Sequence, residues 1–196
     1  QAAALEYLQT QIDRLIDLYM VNPERRTQVW GKEMAYADHY PVSFVVDLLG
    51  DALGKERLKK VYEMARRHFF APTLSDWDVR YRYLAGHNIP YTDCVTAGMC
   101  ALLIGERSGC GDFRKVIDYG LDVTMQYLHH GFDAAGYAFE GTLYMTPVQE
   151  WMYQHAELLL HFGRANLYED PPRLRRIPEA VMHLMFPDRT GMVNIA

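Results

Sequence analysis

Thr92-Asp93-Cys94-Val95-Thr96-Ala97-Gly98-Met99-Cys100-Ala101-Leu102-Leu103-Ile104-Gly105 is the stretch on which the fold turns. Its one charge is Asp93, and its apolar residues leave no polar face. A helix that is apolar all round is buried on every side, so the run predicts an inner helix covered by others. Its neighbours have the complementary pattern. Phe113–His130 is amphipathic, carries His129-His130 in its last turn, where positive charge is favoured, and is stopped by Gly131. A second amphipathic helix places Val148, Trp151, Met152, His155, Leu158, Leu159 and Phe162 on one stripe, with His155 as a core histidine. Thr146-Pro147-Val148-Gln149 reads as its capping box, with proline at the first helical position, and Gly163 ends it. A last helix is expected over 177–186.

Upstream, Leu5, Leu8, Ile12, Leu15, Ile16 and Tyr19 form another stripe, ended by Asn22-Pro23. A helix is expected from Pro41 to Leu53. Another follows Gly54, with Leu58, Val61, Tyr62, Ala65 and Phe69 on one face, and Ala71-Pro72 closes it. The result is seven or so helices and no convincing strand. An inner helix among amphipathic ones predicts an all-α fold: an incomplete α/α toroid of antiparallel helical hairpins, formed as one domain over 1–196. No fixed-period repeat points to a tetratricopeptide-type solenoid.

The composition agrees. Of 196 residues, 49% are hydrophobic and 23% charged, an ordinary globular balance. A net charge of −5 argues against a non-specific nucleic-acid binder. No apolar run reaches the roughly 18 residues of a membrane span. Cys94, Cys100 and Cys110 match neither a disulfide scaffold nor a zinc pattern, and read as small buried or partly exposed thiols. No metal ligand set is visible. The chain opens on Gln1 and closes on Asn194-Ile195-Ala196, and reads as an excised piece of a longer protein.

Two irregular stretches, Thr73–Tyr91 and Phe132–Met145, hold the candidate chemistry, since loops on a rigid scaffold carry function disproportionately. The first offers Arg80, Arg82, His87 and Asn88; the second offers Tyr137, Glu140 and Tyr144. Asparagine can donate to a carboxylate without adding charge, whereas Arg and His add positive charge. Tyrosine gives up its proton readily only beside positive charge or strong donors. Together they suit proton abstraction beside a carboxylate, as at C5 of a uronic acid. The neighbouring carboxylate must be neutralised, and one tyrosine can serve as base and then as acid to the C4 oxygen. Plainer roles fit the same residues. Asn88 before Ile89-Pro90 also suits a helix start, Glu140 beside Gly141 a dipole-stabilising position, and Tyr144 simple packing. Arg80 and Arg82 also suit solvated or ion-paired positions. Arg173, Arg175 and Arg176 read as a solvated face that could attract a polyanion.

The order of motifs resembles the helical domain of heparinase II/III-like polysaccharide lyases, the group that includes exolytic alginate lyases. These carry an Asn motif ahead of an apolar helix of small residues, here His87-Asn88-Ile89-Pro90-Tyr91 before Cys94-Val95-Thr96-Ala97-Gly98-Met99. About 55 residues later comes Glu-Gly-x-x-Tyr, here Glu140-Gly141-Thr142-Leu143-Tyr144. A helix then leads to Gly163 and Asn166-Leu167-Tyr168, and a short one to Phe186-Pro187-Asp188-Arg189-Thr190-Gly191. The resemblance covers about the last 110 residues; the first 75 share only helical character. It implies that Asn88 neutralises the uronate carboxylate and that Tyr144 is base and acid. Glu140 would orient the site or contact sugar, and His87, Arg82 and Tyr137 complete the candidate substrate-binding set. Members often have Asn-His or Asn-Trp at the first motif, whereas here the histidine precedes the asparagine. Members also continue into a β-sandwich domain that supplies a further histidine and, in some, metal ligands, so no cofactor is expected on this chain itself. The implied partner is an acidic polysaccharide, with neither nucleic acid nor membrane, and the implied location is periplasmic or secreted.

Two other readings stay open. A glycoside hydrolase on the same toroid needs two carboxylates roughly 5–10 Å apart, and Asp76, Asp78, Asp93, Asp133 and Glu140 are available. A non-catalytic carbohydrate-binding module would use Trp77, Tyr81, Tyr83 and Tyr137 as stacking platforms. Diphosphate-substrate cyclases, also all-helical, are disfavoured because the sequence has no Asp-rich magnesium motif.

Overall fold

In the computed structural model the apolar run is helical throughout. From Tyr91 to Ile104 every residue is buried except the half-buried Asp93. The structure describes residues 2–21, 36–76, 88–169 and 173–184, with the side chains of 36–39, 76, 89, 90, 142–147 and 173 outside that description. All the regular secondary structure among the described residues is helical: α1 Ala2–Ile16, α2 Tyr36–Leu49, α3 Lys55–Ala65, α4 Ala71–Asp76, α5 Asn88–Ile104, α6 Phe113–His130, α7 Thr142–His161 and α8 Arg173–Leu184. The all-α expectation holds among them. None of the described helices is long and apolar enough to cross a membrane.

Helix starts differ from the sequence reading, and proline is the reason. Helix α2 begins at Tyr36 rather than Pro41, and α7 at Thr142 rather than at Thr146-Pro147. Each proline therefore sits at the sixth helical position and removes one early backbone bond without ending the helix. In α8 the same arrangement shows how the lost bond is replaced. Pro178 cannot donate to the carbonyl of Leu174, and the Tyr153 hydroxyl donates to it instead, at 3.1 Å. Ala71-Pro72 does not close the third helix as expected. A π turn over Arg66–Phe70 widens the backbone where the Pro72 ring would press on the His68 carbonyl, and the chain continues as α4. Helix α5 starts at Asn88, with Pro90 in its first turn, where the missing N–H costs nothing.

The chain forms two compact units. The first comprises Gln1–Asp76 and Thr96–Asp118, the second Trp77–Val95 and Tyr119–Ala196, so α5 and α6 each contribute to both. In the first unit, Ile12, Ile16 and Tyr19 from the α1 stripe are buried, as are Val61, Phe69 and Phe70. In α2 the buried positions among the described side chains are Val42, Ser43 and Val46, whereas Phe44 and Leu48 are exposed. Arg57 holds Asp13 by two hydrogen bonds of 2.7 and 2.9 Å. Arg66 reaches both Glu63 and the Ser108 carbonyl.

In the second unit α7 buries Val148, Met152, His155, Ala156 and Leu159. A tight reversal joins α6 to α7. Phe132 and Ala138 form an isolated bridge, the Asp133 N–H donates to the Tyr137 carbonyl at 2.9 Å, and the Phe139 N–H donates to the Gly131 carbonyl at 2.9 Å. The Asp133 carboxylate closes the loop by accepting from the N–H groups of Ala135 and Tyr137 at 2.8 and 2.9 Å. Gly136 adopts φ +95°, and a Cβ there would lie 2.8 Å from the backbone of Arg176. Arg176 also donates to the Ala134 carbonyl, so at least this arginine braces the reversal rather than lying on a purely solvated face.

Candidate functional site

The site is built around the end of α6. Tyr127, 1% exposed, projects from its penultimate turn. Its ring stacks on Tyr91 of α5 at a centroid distance of 4.5 Å and meets Phe132 edge-on at 5.5 Å. Its hydroxyl donates to Oε2 of Glu140 at 3.1 Å. Glu140 is half-buried and stands two residues before the first turn of α7. The start of α5, the end of α6 and the approach to α7 are thus tied together by one aromatic pair and one carboxylate.

The sequence-predicted residues fall around this link. Asn88 is half-buried, is the first residue of α5, and its carbonyl accepts the Thr92 hydroxyl at 2.9 Å. It stands three positions before Tyr91. Tyr144 is the third residue of α7, four positions after Glu140, and its side chain lies outside the description. Tyr91, Tyr127 and Glu140 thus link the first turn of α5 to the residues just before α7. Tyr137 is half-buried in the reversal, with both its backbone groups held by Asp133. His87 and Arg82 lie outside the described residues, as do Arg80, Trp77, Asp78, Tyr81 and Tyr83.

A second polar layer lies beneath the aromatic pair. Thr124, fully buried one turn before Tyr127, donates to the Gly120 carbonyl at 2.9 Å, and its oxygen is 3.0 Å from Nδ1 of His155. With the hydroxyl proton on Gly120, His155 carries its own proton on Nδ1 and donates to Thr124. Its Nε2 has no hydrogen-bond partner among the described residues. Burial pushes the His155 pKa down to about 3, so the ring is neutral. The expectation of a core histidine is met.

Electrostatics separate the tyrosines. Burial pushes the phenols of Tyr91 and Tyr127 well above their ordinary range, and the charge of Glu140 adds to the effect on Tyr127. Neither can serve as a base near neutral pH. Of the carboxylates offered to a hydrolase, Asp133 already has Oδ1 engaged by two backbone N–H groups. Cys94 and Cys100 are buried and Cys110 is half-buried, as expected of small buried or partly exposed thiols. No group of three or more metal-ligating side chains occurs among the described residues.

Sequence reasoning missed Tyr127 and Thr124. Both lie on the buried face of α6, where a tyrosine or threonine reads as filler until its partner on another helix is known. Compared with known proteins, the chain matches no family model, no curated protein and no solved structure.

Proposed function

We propose that this chain is an incomplete α/α toroid of a polysaccharide lyase that cleaves a uronic-acid-containing polysaccharide by β-elimination. The observation that supports the reading is the Tyr91–Tyr127–Glu140 link, which ties the first turn of α5, where Asn88 lies, to the residue that opens the Glu140-Gly141-Thr142-Leu143-Tyr144 motif. Asn88 opens α5 and Tyr144 lies in the first turn of α7, and the positive end of a helix favours both a substrate carboxylate and a phenolate.

Asn88 donates to the uronate carboxylate and supports its enolate character. Tyr144, as phenolate, removes the C5 proton. The electron pair then forms the C4–C5 double bond and expels the C4 oxygen, which takes the proton back from Tyr144. The products are one unsaturated uronate end and one new hydroxyl end. Acid–base action of this kind contributes about 10²–10⁴-fold.

The test is ultraviolet absorbance of the unsaturated uronate. The protein in its natural full length is incubated with alginate, heparan-type and glucuronan polymers and oligomers. A rise with one of them that is lost in Tyr144→Phe supports elimination. Near-normal turnover by Tyr144→Phe refutes the role. New reducing ends without absorbance point to hydrolysis, and binding without either product points to a carbohydrate-binding module.

A further inference from the structure

Among the described residues, the Glu140 carboxylate has one oxygen engaged. Oε2 accepts from Tyr127, and among the described residues Oε1 has no hydrogen-bond partner. The side chain is half-buried, so Oε1 is not sealed in the core. Its donor is held rigidly: Tyr127 is gripped on one face by Tyr91 and at an edge by Phe132. The backbone beside Glu140 is also fixed, by the Phe139 N–H to Gly131 carbonyl bond and the Gly141 N–H to Ala138 carbonyl bond of 3.2 Å. A carboxylate braced on one oxygen and open on the other is an acceptor for a ligand donor.

We infer that Tyr127 is a positioning residue that orients Glu140 so that its second oxygen accepts a ring hydroxyl of the bound sugar. The inference rests on the proposed carbohydrate substrate and deepens it. An ionised Glu140 repels a second carboxylate, so the group it receives is a hydroxyl and the uronate carboxylate points elsewhere, toward Asn88. Glu140 thereby sets the orientation of the ring in the site. Tyr127 touches no substrate atom and acts only through Glu140.

The test uses Tyr127→Phe, Glu140→Gln and the double variant. Affinity for alginate, heparan-type and glucuronan tetrasaccharides is measured by calorimetry, and KM and kcat by ultraviolet absorbance. Tyr127→Phe keeps the ring stack and loses only the hydroxyl. It should weaken binding about tenfold, the usual scale for a hydrogen bond to a charged group, with KM rising and kcat little changed. Glu140→Gln should weaken binding at least as much, and the double variant no more than Glu140→Gln alone. Should Tyr127→Phe fail to fold, the half-buried Glu140→Gln carries the test, because it keeps the size of the side chain and removes the charge that strengthens the acceptor.

Unchanged binding in Tyr127→Phe, additive losses in the double variant, or no binding of any tetrasaccharide would overturn the inference. The two claims fail separately. Coupled losses of binding without any elimination product would leave the hydroxyl site standing and remove the lyase reading. Elimination with an unchanged KM in Tyr127→Phe would do the reverse.

Discussion

Gly136→Ala tests how the reversal that carries Glu140 is held. Two costs can be worked from the structure. At φ +95° an L-residue is strained, by about 1–2 kcal/mol. The added methyl would also lie 2.8 Å from the carbonyl carbon and oxygen of Arg176 and 2.9 Å from the Ile177 nitrogen. These are backbone atoms inside α8, so no side chain can swing away. Reaching an ordinary contact of 3.4 Å means moving loop and helix apart by about 0.6 Å, which overpacking data put at about 1–3 kcal/mol. The sum is about 2–5 kcal/mol. Gly163→Ala is the control in the same unit: its φ is +63° and nothing lies within 4 Å of the added methyl, so only the strain of about 1–2 kcal/mol applies. Chemical denaturation of both variants should give a gap of about 2 kcal/mol, or about 4–8 °C in Tm for a chain of this size. Equal losses would show that the packing of the reversal on α8 is not what the structure describes.

Two further outcomes follow from buried groups. His155 is neutral when folded, with a pKa of about 3 against about 6.5 in the unfolded chain. The unfolded state therefore binds the extra proton below pH 6.5. Its stabilisation is complete above that value and is lost as pH falls toward 3, with up to about 1.4 kcal/mol lost per pH unit. Urea titrations at several pH values should show this component in the parent and not in His155→Gln; identical acid dependence would refute it. Among the thiols, burial pushes Cys100 up to about 12 and Cys94 is also buried, whereas Cys110 is half-buried. Iodoacetamide mass mapping on the native protein should find Cys110 modified first and the other two only on unfolding; early modification of Cys100 would contradict its burial.

Local patterning made the helices and the inner run legible. An apolar sequence with no polar face has only one favourable solution, burial on all sides, and residues 91–104 adopt it. Gly131 and Gly163 mark helix ends because their signal is local. The helix starts near Pro41 and Pro147 were misread for the opposite reason. Whether a proline begins a helix or sits one turn inside it depends on what satisfies the carbonyl it frees, and for Pro178 that partner is Tyr153 on another helix.

The sequence by itself determined the all-α class, the buried histidine on the α7 stripe and the small, buried or partly exposed cysteines. Tertiary structure alone decided that Tyr91, Tyr127 and Glu140 are linked across three elements, and that Thr124 supports His155. Periodicity reports which face of a helix is buried, because burial depends on solvent averaged over a surface. It does not report which side chain on another helix lies within 3 Å, because a hydrogen bond depends on the register between elements far apart in the chain.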